Sequence, residues 1–306
     1  MKDVNDLKVG IIILNYNSSA MTIKLANVFE KYRLVNKIIV VDNNSTDSSR
    51  KDFKNLSSPK IELMFLKENK GYSNGNNHGL KKLYDEGFDV AIVANPDIYI
   101  AEKDFTILIN SLSESKYAVL SPVEYDSKWQ VVNPAYSKRM DYLDDLLDCF
   151  YFGRKRNKKL RMQTDKNKKI QDVGMLKGSF LAFDLKVFQK LGFFDDNVFL
   201  YCEERILSKK IEDNNYKMGL ILDAKYQHNH KASIVNTYKS SASRMKILYK
   251  SRYYYNVKYL QINLLKKMIL KAAMRVSICE YHLQDVMKWC SLRIALFQQS
   301  AKRKSK

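Results

Sequence analysis

Four polar clusters interrupt the first hundred residues, and each follows an apolar run. They are Asn15-Tyr16-Asn17, Asp42-Asn43-Asn44-Ser45-Thr46-Asp47, the stretch from Asn69 through Asn74 to Asn76-Asn77, and Asn95-Pro96-Asp97. Hard divalent cations take oxygen ligands, and a well-placed carboxylate can also take a proton from a hydroxyl. Asp97 stands out among these acids, because a proline and an acid interrupt an apolar run that resumes at once at Ile98. Glu203-Glu204 is a second acidic feature. His228 and His230 are two residues apart, so on an extended segment both face the same way. Each cluster taken alone also suits turns and helix caps, and Glu203-Glu204 also suits the first turn of a helix. Turn chemistry explains four successive loops less well than one.

The elements that must position these residues alternate. Val9–Asn15, Lys37–Val41, Ile61–Leu66, Val90–Ala94 and Tyr117–Val123 read as buried strands. Helical patterns lie between them, the clearest being Ser73–Glu86, which Gly87 ends, and Glu102–Ser113. A short helix is expected to open at Ser45-Thr46-Asp47. Strands alternating with helices imply an open, mostly parallel α/β sheet flanked by helices. Ligands of such sheets bind outside the carboxyl ends of the strands, which is where the polar clusters fall. Later, Met140–Phe152 reads as one amphipathic helix, Gly178–Phe183 as a strand, Glu203–Asn214 as a helix and Met218–Tyr226 as a strand. The expected organisation is a catalytic domain over 1–235, with an insertion at 126–172, and a basic helical region over 236–306.

Several classes are excluded. GYSNGNN lacks the spacing of a dinucleotide fingerprint, and no Gly-Lys-Ser/Thr occurs, so dehydrogenases and P-loop enzymes are disfavoured. A nucleotide, if bound, is bound by side chains and a metal. Cys149, Cys202, Cys279 and Cys290 share no metal or redox spacing and read as reduced, structural residues. No apolar run is long enough to span a membrane, and Met1–Lys8 is polar, so a cytoplasmic protein is expected.

ILNYN, VVDNNSTD, ENKGYSNGNNHG and NPD, followed in order by GSFLAF, LGFFDDNVFLYCEER and HNHKAS, resemble the bacterial family 2 glycosyltransferases of GT-A fold, of the rhamnosyltransferase, capsular or cell-wall polysaccharide type. The resemblance covers roughly residues 8 to 235. It implies inverting transfer of a sugar from a nucleotide-diphosphate donor (a UDP- or dTDP-sugar) with Mn2+ or Mg2+. It implies that Asn15 and Asp42 hold the nucleoside, that Asn17, Asn44, Asn74, Asn76, Asn77 and Asn95 line the donor, and that Asp97 binds the metal. Glu204 would be the catalytic base beside Glu203, and His228 or His230 would assist the metal. Asn95 stands where the family usually has a first acid, Glu204 where Asp is usual, and Ile206 where many members have a further Asp.

The net charge of +20 is uneven. Residues 231–306 hold 17 Lys/Arg against 2 Asp/Glu, and residues 154–169 hold 9 against 1. Such asymmetry marks a polyanionic partner. Leu, Ile, Met and Tyr mix with Lys and Arg at helical spacing after Tyr238, which suits an anionic membrane surface. A protein peripheral to the inner face of the cell membrane, acting on a glycan or lipid-diphosphate-linked acceptor, is the expectation. The apolar face would serve equally for packing on the catalytic domain or in a homodimer. Binding of nucleic acid through the same tail is the competing reading, disfavoured because no RNA-binding aromatic motif or helix-turn-helix occurs. A nucleotide-sugar-binding protein without catalysis is the third.

Overall fold

The computed structural model describes residues 3–132, 135–157, 164–165, 167–229 and 240–304. They form two compact units. One contains residues 1–140 and 158–233, the other residues 141–157 and 234–306.

The first unit is built on a sheet of order β3-β2-β1-β4-β10-β6-β11-β5, with β8 added beside β11. Its strands are β1 (Val9–Asn15), β2 (Lys37–Asp42), β3 (Ile61–Phe65), β4 (Val90–Ala94), β5 (Ile98–Ile100), β6 (Tyr117–Tyr125), β8 (Ile170–Asp172), β10 (Phe180–Asp184) and β11 (Lys217–His228). A separate two-stranded ribbon pairs β7 (Ala135–Tyr136) with β9 (Met175–Leu176). β3, β2, β1 and β4 are parallel neighbours, and β6 and β11 are parallel to each other. β10 runs antiparallel to both β4 and β6. The reason is connectivity: the chain leaves β6 at the sheet's carboxyl edge and re-enters β10 from that edge, so β10 must point the other way.

Alternate strand residues serve two cores. Ile11, Ile13, Ile38, Val40 and Ile92 face one, against α1 (Ser19–Glu30) and α4 (Glu102–Glu114). Ile12, Ile39, Val41, Ala91 and Val93 face the other, against α3 (Tyr72–Asp85), α7 (Leu185–Lys190) and α8 (Glu203–Asp213). Burial on both faces is why these strands read as unbroken apolar runs. α2 (Ser49–Asp52) is a single turn, starting four residues later than Ser45.

Register aligns the strand ends. Asn15 pairs with Asp42 and Ile13 with Ala94, so the first, second and fourth polar clusters share one edge. β11 shifts register opposite Pro122, between Ile221 and Lys225. Proline offers no ladder donor, so regular pairing cannot continue through it. Beyond the shift, Tyr226–His228 pairs with the NPD-linked strand β5.

In the second unit, residues 142–157 form two helices, α5 (Tyr142–Asp148) and α6 (Tyr151–Asn157), rather than one. Asp141 starts α5 through a capping box with Asp144. Two longer helices, Ser241–Lys258 and Leu264–Lys304, complete it. Tyr249, Ile262, Leu270, Ala273 and Met274 form its core with Cys149.

Gly71 has φ +98°, and an added Cβ would stand 1.9 Å from the Phe199 carbonyl oxygen. Gly87 has φ +74° with nothing within 4 Å. Gly71→Ala should therefore destabilise by ~2 kcal/mol or more, against about 1 kcal/mol for Gly87→Ala. Equal losses in denaturant melts of the two variants would show that the Phe199 contact constrains nothing.

Candidate active site

The first two loops at the carboxyl edge are held together by their own side chains. Asn15 Nδ2 donates to Asp42 Oδ1 (3.0 Å) and Ser45 Oγ (2.9 Å), while Asn15 Oδ1 accepts from Ser18 and Thr22 (3.0 and 2.9 Å). Asp42 Oδ2 accepts from the Ser45 amide and from Arg50 Nε, both at 3.2 Å. Asn15 and Asp42 are fully enclosed. Asn17 is exposed in a left-handed conformation and exchanges hydrogen bonds with Thr46. Asn44, also left-handed, is half-buried and accepts from Arg50.

On α3, Asn74 is half-buried, whereas Asn76 and Asn77 are buried. Asn76 donates to the Tyr72 carbonyl at 3.0 Å. Asn77 clasps the 194–196 loop, donating to Phe194 O (2.9 Å) and Asp196 Oδ1 (2.6 Å) and accepting from Phe194 N (3.1 Å).

Beyond β4, the half-buried Asn95 donates its backbone N–H to Ser179 O at 2.9 Å. Asp97 is buried, and its Oδ1 lies 3.2 Å from His228 Nε2. His228 Nδ1 lies 3.0 Å from Glu124 Oε1, and Glu124 Oε2 lies 2.9 Å from Lys177 Nζ. Burial pushes the imidazolium toward neutrality, but Asp97 and Glu124 more than offset this and hold its pKa at about 9. Burial likewise pushes Glu124 up, yet the His228 hydrogen bond and the Lys177 charge bring it to about 2. His230 lies outside the described residues.

Glu203 and Glu204 open α8 directly after Tyr201 and Cys202, which both have left-handed backbones (φ 70° and 69°). Adjacent left-handed non-glycine residues are costly and cluster at sites where the chain must aim side chains. Glu203 is buried, and its pKa is pushed up to about 8, first by burial and then by the charge of Glu204. The half-buried Glu204 accepts from the Gly178 amide at 3.2 Å. Gly178 and Ser179 thus touch Glu204 on one side and Asn95 on the other. Tyr72 OH caps the Gly178 carbonyl at 2.6 Å, and Ser179 Oγ meets Tyr226 OH at 2.7 Å.

Gly178-Ser179 therefore bridges the turn of Asn95 and Asp97, whose carboxylate meets His228, to Glu204. Glu124, Lys177 and Ser179 join them, though sequence reading had not singled them out. Glu124 carried a usable signal, since it stands near the end of β6 as Asp42 closes β2. A cavity of about 270 Å³ opens at Asp97, lined also by Pro96, Tyr99, Trp129, Gln227 and Asn229. A hollow of about 360 Å³ lined by Arg139, Asp172 and Lys217 lies at the start of β11 and contains none of these groups.

The donor set suits a divalent cation. Two cis ligands at about 2.1 Å from one octahedral ion stand about 3 Å apart, close to the Asp97–His228 separation. Asp97 Oδ1 is buried and accepts no hydrogen bond of good geometry. Glu124 fixes the far side of the imidazole, as a ligating histidine requires. Among the described residues no group of three or more His, Cys, Asp or Glu is placed to hold a metal ion by itself, so oxygens from a ligand or water would complete the shell.

The sequence model of Glycosyl transferase family 2 matches residues 10–192. The chain belongs to this family. Its family segment holds the first four polar clusters, Glu124 and Gly178-Ser179. A curated relative, the low-salt glycan biosynthesis hexosyltransferase Agl10 of Haloferax volcanii, is 26% identical over 214 residues. That match spans 69% of this chain and 64% of the relative's length. Two solved structures share the fold. GalNAc-T7 with UDP, GalNAc and Mn2+ aligns with a TM-score of 0.60 at 14% identity, covering 89% of this chain and 55% of the other. The Pyrobaculum calidifontis mannosyltransferase PcManGT, in complex with GDP-Man and Mn2+, aligns with a TM-score of 0.54 at 15% identity, covering 97% and 81%. The family member described here thus has an edge cluster in which ionisable groups depend on one another, and this sets its pH response.

His228 is raised above its ordinary 6.5, so its contribution is present below 6.5 and lost as pH rises through about 9. Glu124 is lowered from 4.5, so its contribution is present above 4.5 and lost as pH falls toward about 2. In the metal-free chain, Tm should fall between pH 6.5 and 9 in the wild type and fall less steeply in His228→Gln, where the raised Glu203 still contributes up to about pH 8. Parallel falls in both would show that the imidazolium is not held by its two carboxylates.

Proposed function

We propose that this chain transfers a glycosyl group, with inversion, from a nucleoside diphosphate sugar to an acceptor hydroxyl. The observation that carries the reading is that Gly178-Ser179 joins the turn bearing the Asp97–His228 pair, held through Asn95, to a separately anchored carboxylate, Glu204. The first suits a leaving diphosphate, the second a hydroxyl that must lose its proton. Asp97 and His228 would hold Mn2+ or Mg2+, whose charge would offset that developing on the leaving oxygen. The curated relative's name, a glycan biosynthesis hexosyltransferase, supports a sugar donor and a glycan acceptor. The neighbours crystallised with UDP and GDP-Man support a nucleotide-linked donor.

In this reading the acceptor oxygen attacks C1 on the face opposite the diphosphate. Its proton passes to Glu204, and the electron pair of the C1–O bond leaves with the diphosphate. A single displacement inverts the anomeric centre. Glu203, kept protonated by burial and by its neighbour, leaves one negative charge at the pair and does not compete for the proton. The exposed and half-buried amides of Asn17, Asn44, Asn74 and Asn95 are the ones open to a donor. Asn15, Asp42 and Asn77 act by fixing the loops that present them, while Asn76 bonds within its own helix to the Tyr72 carbonyl. The acceptor is a glycan or lipid-diphosphate-linked sugar of surface polysaccharide biosynthesis.

Release of nucleoside diphosphate from a panel of UDP-, dTDP- and GDP-sugars, with and without Mn2+, tests the reading. One donor should turn over with metal. Asp97→Ala should abolish turnover, and Glu204→Gln should lower kcat about 100-fold or more with donor KM little changed. Full activity in both variants would remove the site assignment, and binding without turnover of any donor would remove the reaction.

A further inference from the structure

The long helix of the second unit carries two apolar stripes. One, through Leu270, Ala273, Met274 and Ser277, is buried against the unit's own core, where Ser277 Oγ meets Tyr249 OH at 2.8 Å. The other runs through Leu265, Ile269, Val276, Leu283 and Val286, at spacings that place it on one face. These five side chains are between 43% and 65% exposed. A helix at the surface of a water-soluble domain normally spends one apolar stripe on its core and shows water a polar face. A second open stripe about 32 Å long, at 1.5 Å per residue, marks an interaction surface.

The charges around it select the partner. Lys271 and Arg275 are exposed one turn apart along the border of the stripe, and Lys266 is exposed near its start. The two acids of this helix's described part are turned to other duties. Glu280 accepts from Arg154 at 3.1 Å, and Asp285 accepts from Ser240 Oγ (2.8 Å) and the Ala242 amide (3.0 Å), capping the preceding helix. The same unit also exposes Phe150, Tyr151 and Phe152, the last 82% exposed, immediately before the basic run that starts at Arg154. Exposed aromatics next to Lys and Arg suit the headgroup level of a bilayer.

We propose that this stripe lies in the surface of an anionic bilayer, with its apolar side chains among the acyl chains and its flanking cations on the headgroups. No described helix is long and apolar enough to cross a membrane, so the helix would lie along the surface. A second copy on the same stripe would bring Lys266, Lys271 and Arg275 toward their own duplicates, whereas anionic headgroups neutralise them. The inference does not rest on the reaction proposed above, because its test uses no sugar donor.

Flotation of the full chain with vesicles decides it. The wild type should float with phosphatidylcholine vesicles containing about one-third phosphatidylglycerol, and about tenfold less with phosphatidylcholine alone. Val276→Glu/Leu283→Glu should lose about tenfold or more of that binding with Tm unchanged, since both sites are open to water. Lys271→Glu/Arg275→Glu should bind more weakly and with a shallower salt dependence. No flotation of the wild type, or flotation indifferent to Val276→Glu/Leu283→Glu, overturns the proposal. So does a dimer by light scattering that the Val276→Glu/Leu283→Glu variant splits while no vesicle is bound, which would make the stripe an interface between copies.

Discussion

Glu124, His228 and Asp97 come from three strand ends and meet at one buried point, joined from outside by Lys177. None of these charges is tolerable there alone. Removing ionised groups from water costs several kcal/mol each, at roughly that scale, unless partners of opposite sign share the site. The cluster therefore ties the ends of β6 and β11 to the turn after β4, and the geometry of that turn depends on it. The register shift of β11 opposite Pro122 is the backbone device that lets His228 reach this point.

Around this fixed point, the edge divides labour between hidden and open polar groups. Asn15 and Asp42 spend their hydrogen bonds on each other's loops, and Asn77 spends its own on the 194–196 loop. A buried amide left unpaired costs free energy, which these internal bonds of Asn15 and Asn77 avoid. The groups left facing outward are then held on loops that cannot easily move. Asn95 fits this pattern: its backbone is pinned by Ser179 while its side chain remains half-buried at the rim. Asn95 is a neutral amide, so Asp97 is the turn's single carboxylate.

The second unit follows different economics. Its core is small, and residues 142–157 contribute helices and Cys149 to it even though they are far in sequence from the C-terminal helices. The sequence pattern over 140–152 reads as one helix within an insertion of the catalytic domain. The break after Asp148 and the Asp141 capping box make it two, and Asn256 reaches the Asp145 carboxylate at 2.7 Å. The long helix buries one stripe in this core and leaves Leu265, Ile269, Val276, Leu283 and Val286 largely exposed.

The alternation of strands and helices, the placement of polar clusters at strand ends and the basic, apolar character of the tail were all legible in the residues themselves. They are set by local periodicity and turn chemistry, which neighbours in sequence decide. The Asp97–His228 contact, the inward turn of Asn15, Asp42 and Asn77, the reversed β10 and the role of Glu124 were not. Each depends on segments about 30 to more than 100 residues apart being brought into register, and that register follows from packing both faces of one sheet at once. Likewise, the sequence marks both stripes of the long helix as apolar, and only the packed structure decides which is buried and which is left to a partner.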